Sequence, residues 1–190
     1  WRMSVRRAAV TERELVLIWG IGGGVAIAAL QIAKRLGARV WVTSGSDAKL
    51  ERARQLGADA GFNHRTQDVA REVRARTGKR GADVVVDSVG QATWTQSLLA
   101  LGKRGRLVTC GATSGPMVET DLRRLFWNQW SILGSTMGND REVDDMMRAF
   151  AGGALLPPVD SVFSMADGRA AYERLASADH FGKIVIRVAD

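Results

Sequence analysis

Leu15-Val-Leu-Ile-Trp-Gly-Ile-Gly-Gly-Gly-Val-Ala26 decides how this chain folds. Residues 15–19 are an unbroken apolar run of strand length, the pattern of a strand covered on both faces. Gly20, Gly22, Gly23 and Gly24 break the run, and residues 25–36 continue as a helix that is apolar nearly all round. Gly37 stops that helix. Strand, glycine turn and buried helix, in that order, are the first half of a parallel crossover unit. The turn also has a chemical meaning. Glycines let backbone approach phosphate oxygens closely, and the first helical turn offers free amides at the positive end of its dipole. The small Ala26 permits close helix–strand packing.

The alternation continues downstream. Residues 39–43, 60–63, 83–87, 106–110 and 131–135 read as strands. Helices are predicted over 47–56, capped by Ser46, and over 68–76, 93–101, 121–128 and 141–151. This order predicts an α/β fold built on a doubly wound parallel sheet with right-handed crossovers. Pro157-Pro158 marks a break, after which strand 159–164, helix 166–176 and strand 183–188 form a short appendage. The expected division is a dinucleotide-binding domain over 1–152 and a C-terminal segment over 153–190.

Composition sets the outer limits. Of 190 residues, 46% are hydrophobic and 25% charged, which is ordinary for a globular chain and excludes a disordered tail. One cysteine cannot form an internal disulfide, and two histidines with one cysteine are too few for a zinc site made by this chain alone. No apolar run approaches the roughly 20 residues of a membrane helix. The basic start Trp1-Arg-Met-Ser-Val-Arg-Arg lacks the apolar stretch of a signal peptide, so a cytoplasmic location is expected. Lacking Met at position 1, the chain is expected to begin inside a longer gene product. The net charge of +7 is almost all arginine. These arginines are scattered and often flank Asp or Glu, as in Glu51-Arg52 and Arg71-Glu72, which describes a solvated surface rather than a nucleic-acid footprint.

The remaining signals lie at the ends of the later strands. An NAD-preferring site usually has an acid at the tip of the second strand. Here that tip reads Thr43-Ser44-Gly45-Ser46, with Lys49 close by and His64 or Arg65 at the end of the third strand. The pattern favours NADP(H) over NAD(H). Lys49 also reads as a solvated helix lysine, and His64 as a loop histidine. Asp87-Ser-Val-Gly90, Cys110-Gly-Ala-Thr-Ser-Gly115 and Leu133-Gly-Ser-Thr-Met137 combine glycine with small polar groups, suiting a ribose and nicotinamide crossing the sheet. No Ser/His/Asp set or paired carboxylates occur, so no residue is assigned a catalytic role. Cys110 reads as a buried small residue. The aromatics of Phe126-Trp-Asn-Gln-Trp130 read as core, with a pocket or subunit face as the alternative.

Taken together these segments resemble the medium-chain dehydrogenase/reductase family, in its branch of zinc-binding alcohol dehydrogenases and quinone oxidoreductases. The likeness starts at Trp1-Arg-Met and includes the glycine loop, Gly45-Ser-Asp-Ala-Lys-Leu50, Leu56-Gly-Ala-Asp59, Gly78-Lys-Arg-Gly-Ala-Asp83, residues 126–138 and His180-Phe-Gly-Lys-Ile-Val185. It implies a Rossmann fold and an oxidoreductase that moves hydride between NADP(H) and an alcohol or carbonyl, a quinone or an activated alkene. It implies that Gly20, Gly22, Gly23, Gly24 and Val25 hold the pyrophosphate, and that Ser44, Lys49 and His64 hold the adenosine 2′-phosphate. Ser88 and Val89 fall at the ribose. Gly111, Leu133, Gly134, Ser135, Phe181 and Lys183 fall at the nicotinamide. The family's N-terminal catalytic domain, which carries zinc where zinc is used, lies outside this sequence. Residues 153–190 would rejoin it, and the chain alone would turn nothing over. Relatives dimerise by pairing their sixth strands, and a small-molecule substrate completes the expected partners. The alternative is a non-catalytic NADPH-binding sensor or structural module.

Overall fold

A computed structural model describes residues 1–153 and 155–189. Six strands form one parallel sheet: β1 (Leu15–Ile18), β2 (Arg39–Ser44), β3 (Ala60–Asn63), β4 (Ala82–Asp87), β5 (Leu101–Thr109) and β6 (Ser131–Gly134). Their spatial order is β3-β2-β1-β4-β5-β6. Helices α1 (Gly24–Arg35) and α2 (Asp47–Gln55) cover one face, and α3 (Val69–Arg76) and α4 (Trp94–Ala100) the other. This sandwiching explains why all four residues of β1 are apolar and buried. Val16 and Ile18 join the cluster of Ile27 and Leu30, while Leu15 and Leu17 join that of Val73 and Leu98. The expected doubly wound, Rossmann-like sheet is therefore present. Strand order reverses between β1 and β4, and a crevice opens there beyond their carboxyl ends.

Local capping sets the helix starts. The side chains of Ser46, Asp68, Asp121 and Asn139 accept backbone N–H bonds at the starts of α2, α3, α5 (Leu122–Asn128) and α6 (Asp140–Ala151). The fourth helix stops at Ala100 rather than continuing through 101, because Leu101 turns extended and begins β5. That strand starts five residues before the expected 106. Gly102 and Gly105 permit this: a Cβ on Gly102 would lie 2.7 Å from Arg80 O, and one on Gly105 3.0 Å from Gly102 O. An apolar pattern could not signal Leu-Gly-Lys-Arg-Gly as strand. Cys110 falls beyond β5 and is exposed, not buried as expected. Phe126 and Trp127 project from α5 with 67% and 75% exposure, so the core reading fails for them. It holds for Trp130, whose Nε1 donates to Gly102 O.

The N-terminal segment Arg2–Arg7 is a short π-helical turn. At the other end, β7 (Val159–Ser164), α7 (Gly168–Ala176) and β8 (Lys183–Arg187) form a lobe around a separate parallel pair. Its helix begins two residues later than predicted, after Ser164 Oγ donates to Asp167 Oδ2. Within the lobe Asp160 takes a bidentate pair from Arg174, and the same carboxylate lies 3.8 Å from Arg52 of α2. Phe181 N–H donates to the same carboxylate, and Gly182 N–H donates to Gly22 O.

Candidate functional site

The glycine loop is shaped by β2. Thr43 O accepts Ile21 N–H at 2.7 Å, and Thr43 Oγ1 accepts Gly20 N–H at 3.1 Å. Gly20 and Gly22 have φ of +69° and +133°, values that L side chains resist. Unlike its neighbours α2 and α3, α1 starts without a side-chain cap, leaving first-turn N–H groups free. Two lysines overhang this turn. A Cβ on Gly24 would lie 2.8 Å from Lys183 Nζ, and one on Gly22 would lie 3.3 Å from Lys49 Cδ. Lys49 Nζ donates to Ala178 O at 2.6 Å, and burial lowers its pKa below the usual lysine value. An ammonium at the positive end of a helix is uphill by roughly 0.3–1 kcal/mol unless an anion lies between.

The tips of β2 and β3 lie alongside. Ser44 is buried, with Oγ accepting Ser46 N–H at 3.1 Å. Arg65 crosses the turn, since a Cβ on Gly45 would lie 2.6 Å from its Nε. His64 places its ring 6.1 Å from that of Trp19, with Nδ1 3.4 Å from Thr43 Oγ1. Partial desolvation, helped by the Arg65 charge, holds its pKa below the ordinary histidine value. The indole N–H of Trp19 is buried without a partner.

The loops after β4, β5 and β6 complete the crevice. Fully buried Asp87 accepts N–H bonds from Val89 and Gly90 and O–H bonds from Thr93 and Ser97, so both its oxygens are hydrogen-bonded. This fixes Ser88 and Val89, and Val89 Cγ2 would meet a Gly20 Cβ at 3.8 Å. Gly111 closes on Ser88, whose carbonyl oxygen would be 3.0 Å from its Cβ. A cavity of about 380 Å³ follows, lined by Gly24, Val25, Cys110, Ser135, Thr136 and Lys183 among others. Leu133 packs on the core edge, and Gly134 O accepts from Arg7 Nε at 2.8 Å.

The structure thus gathers Gly24, Val25, Ser135 and Lys183 around one cavity, and sets Val89 against Gly20 and Ser88 against Gly111. Two expected residues sit differently. Lys49 reaches the glycine loop and the C-terminal lobe rather than the Ser44 tip. Phe181 is 1% exposed, with its ring in the core under the Arg52 guanidinium and its N–H on Asp160, away from the nicotinamide position expected for it. Sequence reasoning passed over Asp87 as an organiser, although Thr93 and Ser97 at helical spacing after it were a readable signal. Among the described residues, no group of three His, Cys, Asp or Glu side chains is placed to hold a metal ion.

The profile of the zinc-binding dehydrogenases matches residues 24–152, well over half of the chain. The chain belongs to that family. Crotonyl-CoA reductase of Streptomyces avermitilis is 33% identical over 193 residues, covering 91% of this chain and 43% of its own length. A solved NAD-dependent alcohol dehydrogenase superposes with a TM-score of 0.92 at 38% identity, covering 100% of this chain and 55% of that one. A 2-octenoyl-CoA carboxylase reductase solved with NADP and 2-octenoyl-CoA superposes at 0.89 with 28% identity, covering 97% and 46%. The chain therefore spans about half the length of the family members it matches. The relatives are named as reductases, oxidoreductases and dehydrogenases, one of them NAD-dependent and one solved with NADP.

Proposed function

We propose that this chain is the cofactor-holding part of an NADP(H)-dependent oxidoreductase. The observation that carries the reading is the pair of lysine ammonium groups over the uncapped, glycine-rich start of α1. That arrangement is favourable with a pyrophosphate seated between them and unfavourable without one. Gly20, Gly22, Gly23, Gly24 and Val25 supply close backbone and amides. Ser88 and Val89, set by Asp87, take the ribose, and Gly111, Leu133, Gly134 and Ser135 border the nicotinamide. Lys183 joins the pyrophosphate end to the nicotinamide end. The nicotinamide, when bound, supplies the hydride chemistry, and these residues orient it.

The proposed reaction is hydride transfer to or from a carbonyl or alcohol, a quinone or an activated alkene. The reductases solved or named among its relatives support the last of these for their own substrates. We assign residues 153–190 to contact with the family's catalytic domain, which would also hold zinc where used. The exposed β6 edge, together with exposed Leu122, Phe126 and Trp127 of the preceding α5, is proposed as the dimer face. Titration of the six-tryptophan chain with NADPH and NADH tests the cofactor reading through energy transfer to the reduced nicotinamide. Tighter NADPH binding is expected, and tighter NADH binding would remove the NADP(H) assignment.

A further inference from the structure

The face of the sheet opposite α1 carries a pocket that the crevice does not use. It lies between α3, the end of α4 and α5, has a volume of about 380 Å³, and is lined by Asp68, Arg71, Arg74, Arg124, Asn128 and Trp130 among others. Three guanidinium groups border it against one carboxylate. Arginines nearby in sequence are neutralised: Arg76 pairs with Glu72 at 3.2 Å, and Arg123 with Asp121 at 3.0 Å. That pairing leaves out the two arginines at the pocket. Arg71 and Glu72 adjoin in sequence, but the carboxylate goes to Arg76. Asp68, the one acid present, caps α3, its Oδ1 accepting from Arg71 N–H at 3.0 Å. Among the described residues, the side chains of Arg71 and Arg124 make no hydrogen bond or ion pair, so each keeps all five N–H donors.

Arg74 is the fixed member of the set. It is half-buried, and its Nε donates to Leu99 O at 3.0 Å, one terminal nitrogen to Lys79 O at 2.7 Å and the other to Leu101 O. These carbonyls hold the guanidinium in place without neutralising it. Desolvation, with the Arg124 charge second, pushes Arg74 below the ordinary arginine value. Like charges thus converge from two helices, an arrangement that an anion between them would relieve. The planar guanidinium fork matches a phosphate bidentately. The volume falls within the range of roughly 300–1,000 Å³ seen for small-molecule sites, which is more than a bare phosphate needs. We infer that this pocket takes a small phosphorylated molecule, gripped through its phosphate by Arg71 and Arg124 beside the fixed charge of Arg74. The site lies outside the dinucleotide crevice and stands independently of the cofactor reading.

The test is a titration of the ¹⁵N-labelled 190-residue chain with inorganic pyrophosphate at constant ionic strength, followed by amide and indole resonances. Saturable shifts are expected at Arg71, Arg74, Asn128 and the Trp130 indole N–H, half-complete below about 1 mM. Arg71→Gln and Arg124→Gln should each weaken that binding by about 10-fold or more, the size of one lost charge-assisted hydrogen bond. Arg124→Lys should recover part of it. Both side chains are exposed and unbonded, so thermal melting should show the variants folded as well as the parent. The amides of Gly22, Gly23 and Gly24 report separately on pyrophosphate in the crevice. Shifts confined to those glycines, shifts at the pocket that rise without saturating, or an affinity unchanged in either glutamine variant would each overturn the inference. Tighter binding of hexaglutamate than of pyrophosphate would also overturn it, by assigning the pocket to an acidic peptide.

Discussion

Asp160→Asn is the sharpest probe of how the C-terminal lobe serves the crevice. The Asp160 side chain is 4% exposed and accepts two N–H bonds from Arg174 at 3.0 Å, one from Phe181 N at 2.8 Å and one from Ser161 Oγ at 3.1 Å. Breaking a buried ion pair by removing one partner costs about 3–5 kcal/mol. Arg174 is one-third exposed and the asparagine keeps an acceptor, so about 2–3 kcal/mol is expected here. The loss should appear as loosening of the lobe before global unfolding, because the bonds at stake tie β7 to α7 and to residue 181, next to the Gly182–Gly22 link, while only Arg52 of α2, 3.8 Å away, reaches the carboxylate from outside the lobe. Hydrogen exchange at Gly182, whose N–H donates to Gly22 O, should speed up by roughly 30- to 100-fold. The Arg174 side-chain hydrogen bond, aided by Phe181 N–H, holds the Asp160 carboxyl well below the ordinary carboxylate range. A depressed folded-state pKa gives stability that is complete above the unfolded value, about 4, and is lost as pH falls through the folded value. The difference between parent and Asp160→Asn should therefore be full at pH 7 and shrink steadily below about pH 4. Equal exchange at Gly182 in both proteins at pH 7, or a difference that grows on acidification, would refute this account of the lobe.

Other outcomes follow from the same geometry. Lys183→Met should relieve repulsion at the start of α1, so the free chain melts no lower than the parent, while NADPH and NADH each bind about tenfold more weakly in fluorescence titrations. Gly22→Ala places a side chain at φ +133° and 3.3 Å from Lys49 Cδ; a urea melt should show about 1–3 kcal/mol lost, with weaker nucleotide binding. Trp127→Glu removes an exposed aromatic from α5, the helix that leads into the β6 edge. Light scattering should show a dimeric parent becoming monomeric at micromolar concentration, and a monomeric parent would discard the shared-edge proposal.

Much of the fold was legible because parallel strands buried on both faces leave an unmistakable trace. The runs at 15–18, 40–42 and 84–86 are apolar at every position, and each is followed by glycine or a small polar residue before a helix. The helix start at Ser46 was equally legible, since capping needs only a side-chain oxygen and an amide three residues away. The first half of β5 was not legible. Its Leu-Gly-Lys-Arg-Gly sequence becomes strand only because glycine lets it pack against Arg80 and Ala82 from elsewhere in the chain. The glycine loop was likewise readable from spacing alone, since close backbone approach is a property of glycine itself.

Side-chain destinations were a different matter. Lys49 is three residues from its cap and near Ser44 in sequence, yet its four-carbon stem carries the ammonium to Ala178 and the glycine loop. Phe181 stands two residues before Lys183, but one ring fills the core while the other side chain overhangs α1. Arg65 and Gly45 are twenty positions apart and meet only because β2 and β3 pair in register, Ser44 opposite Asn63. The sequence alone determined the alternation of strand and helix, and with it the doubly wound sheet and its phosphate-ready turn, because burial periodicity and glycine chemistry are local. Only the tertiary structure decided which cation faces which part of the crevice, because a long side chain's position depends on partners that the fold, not the sequence, brings near.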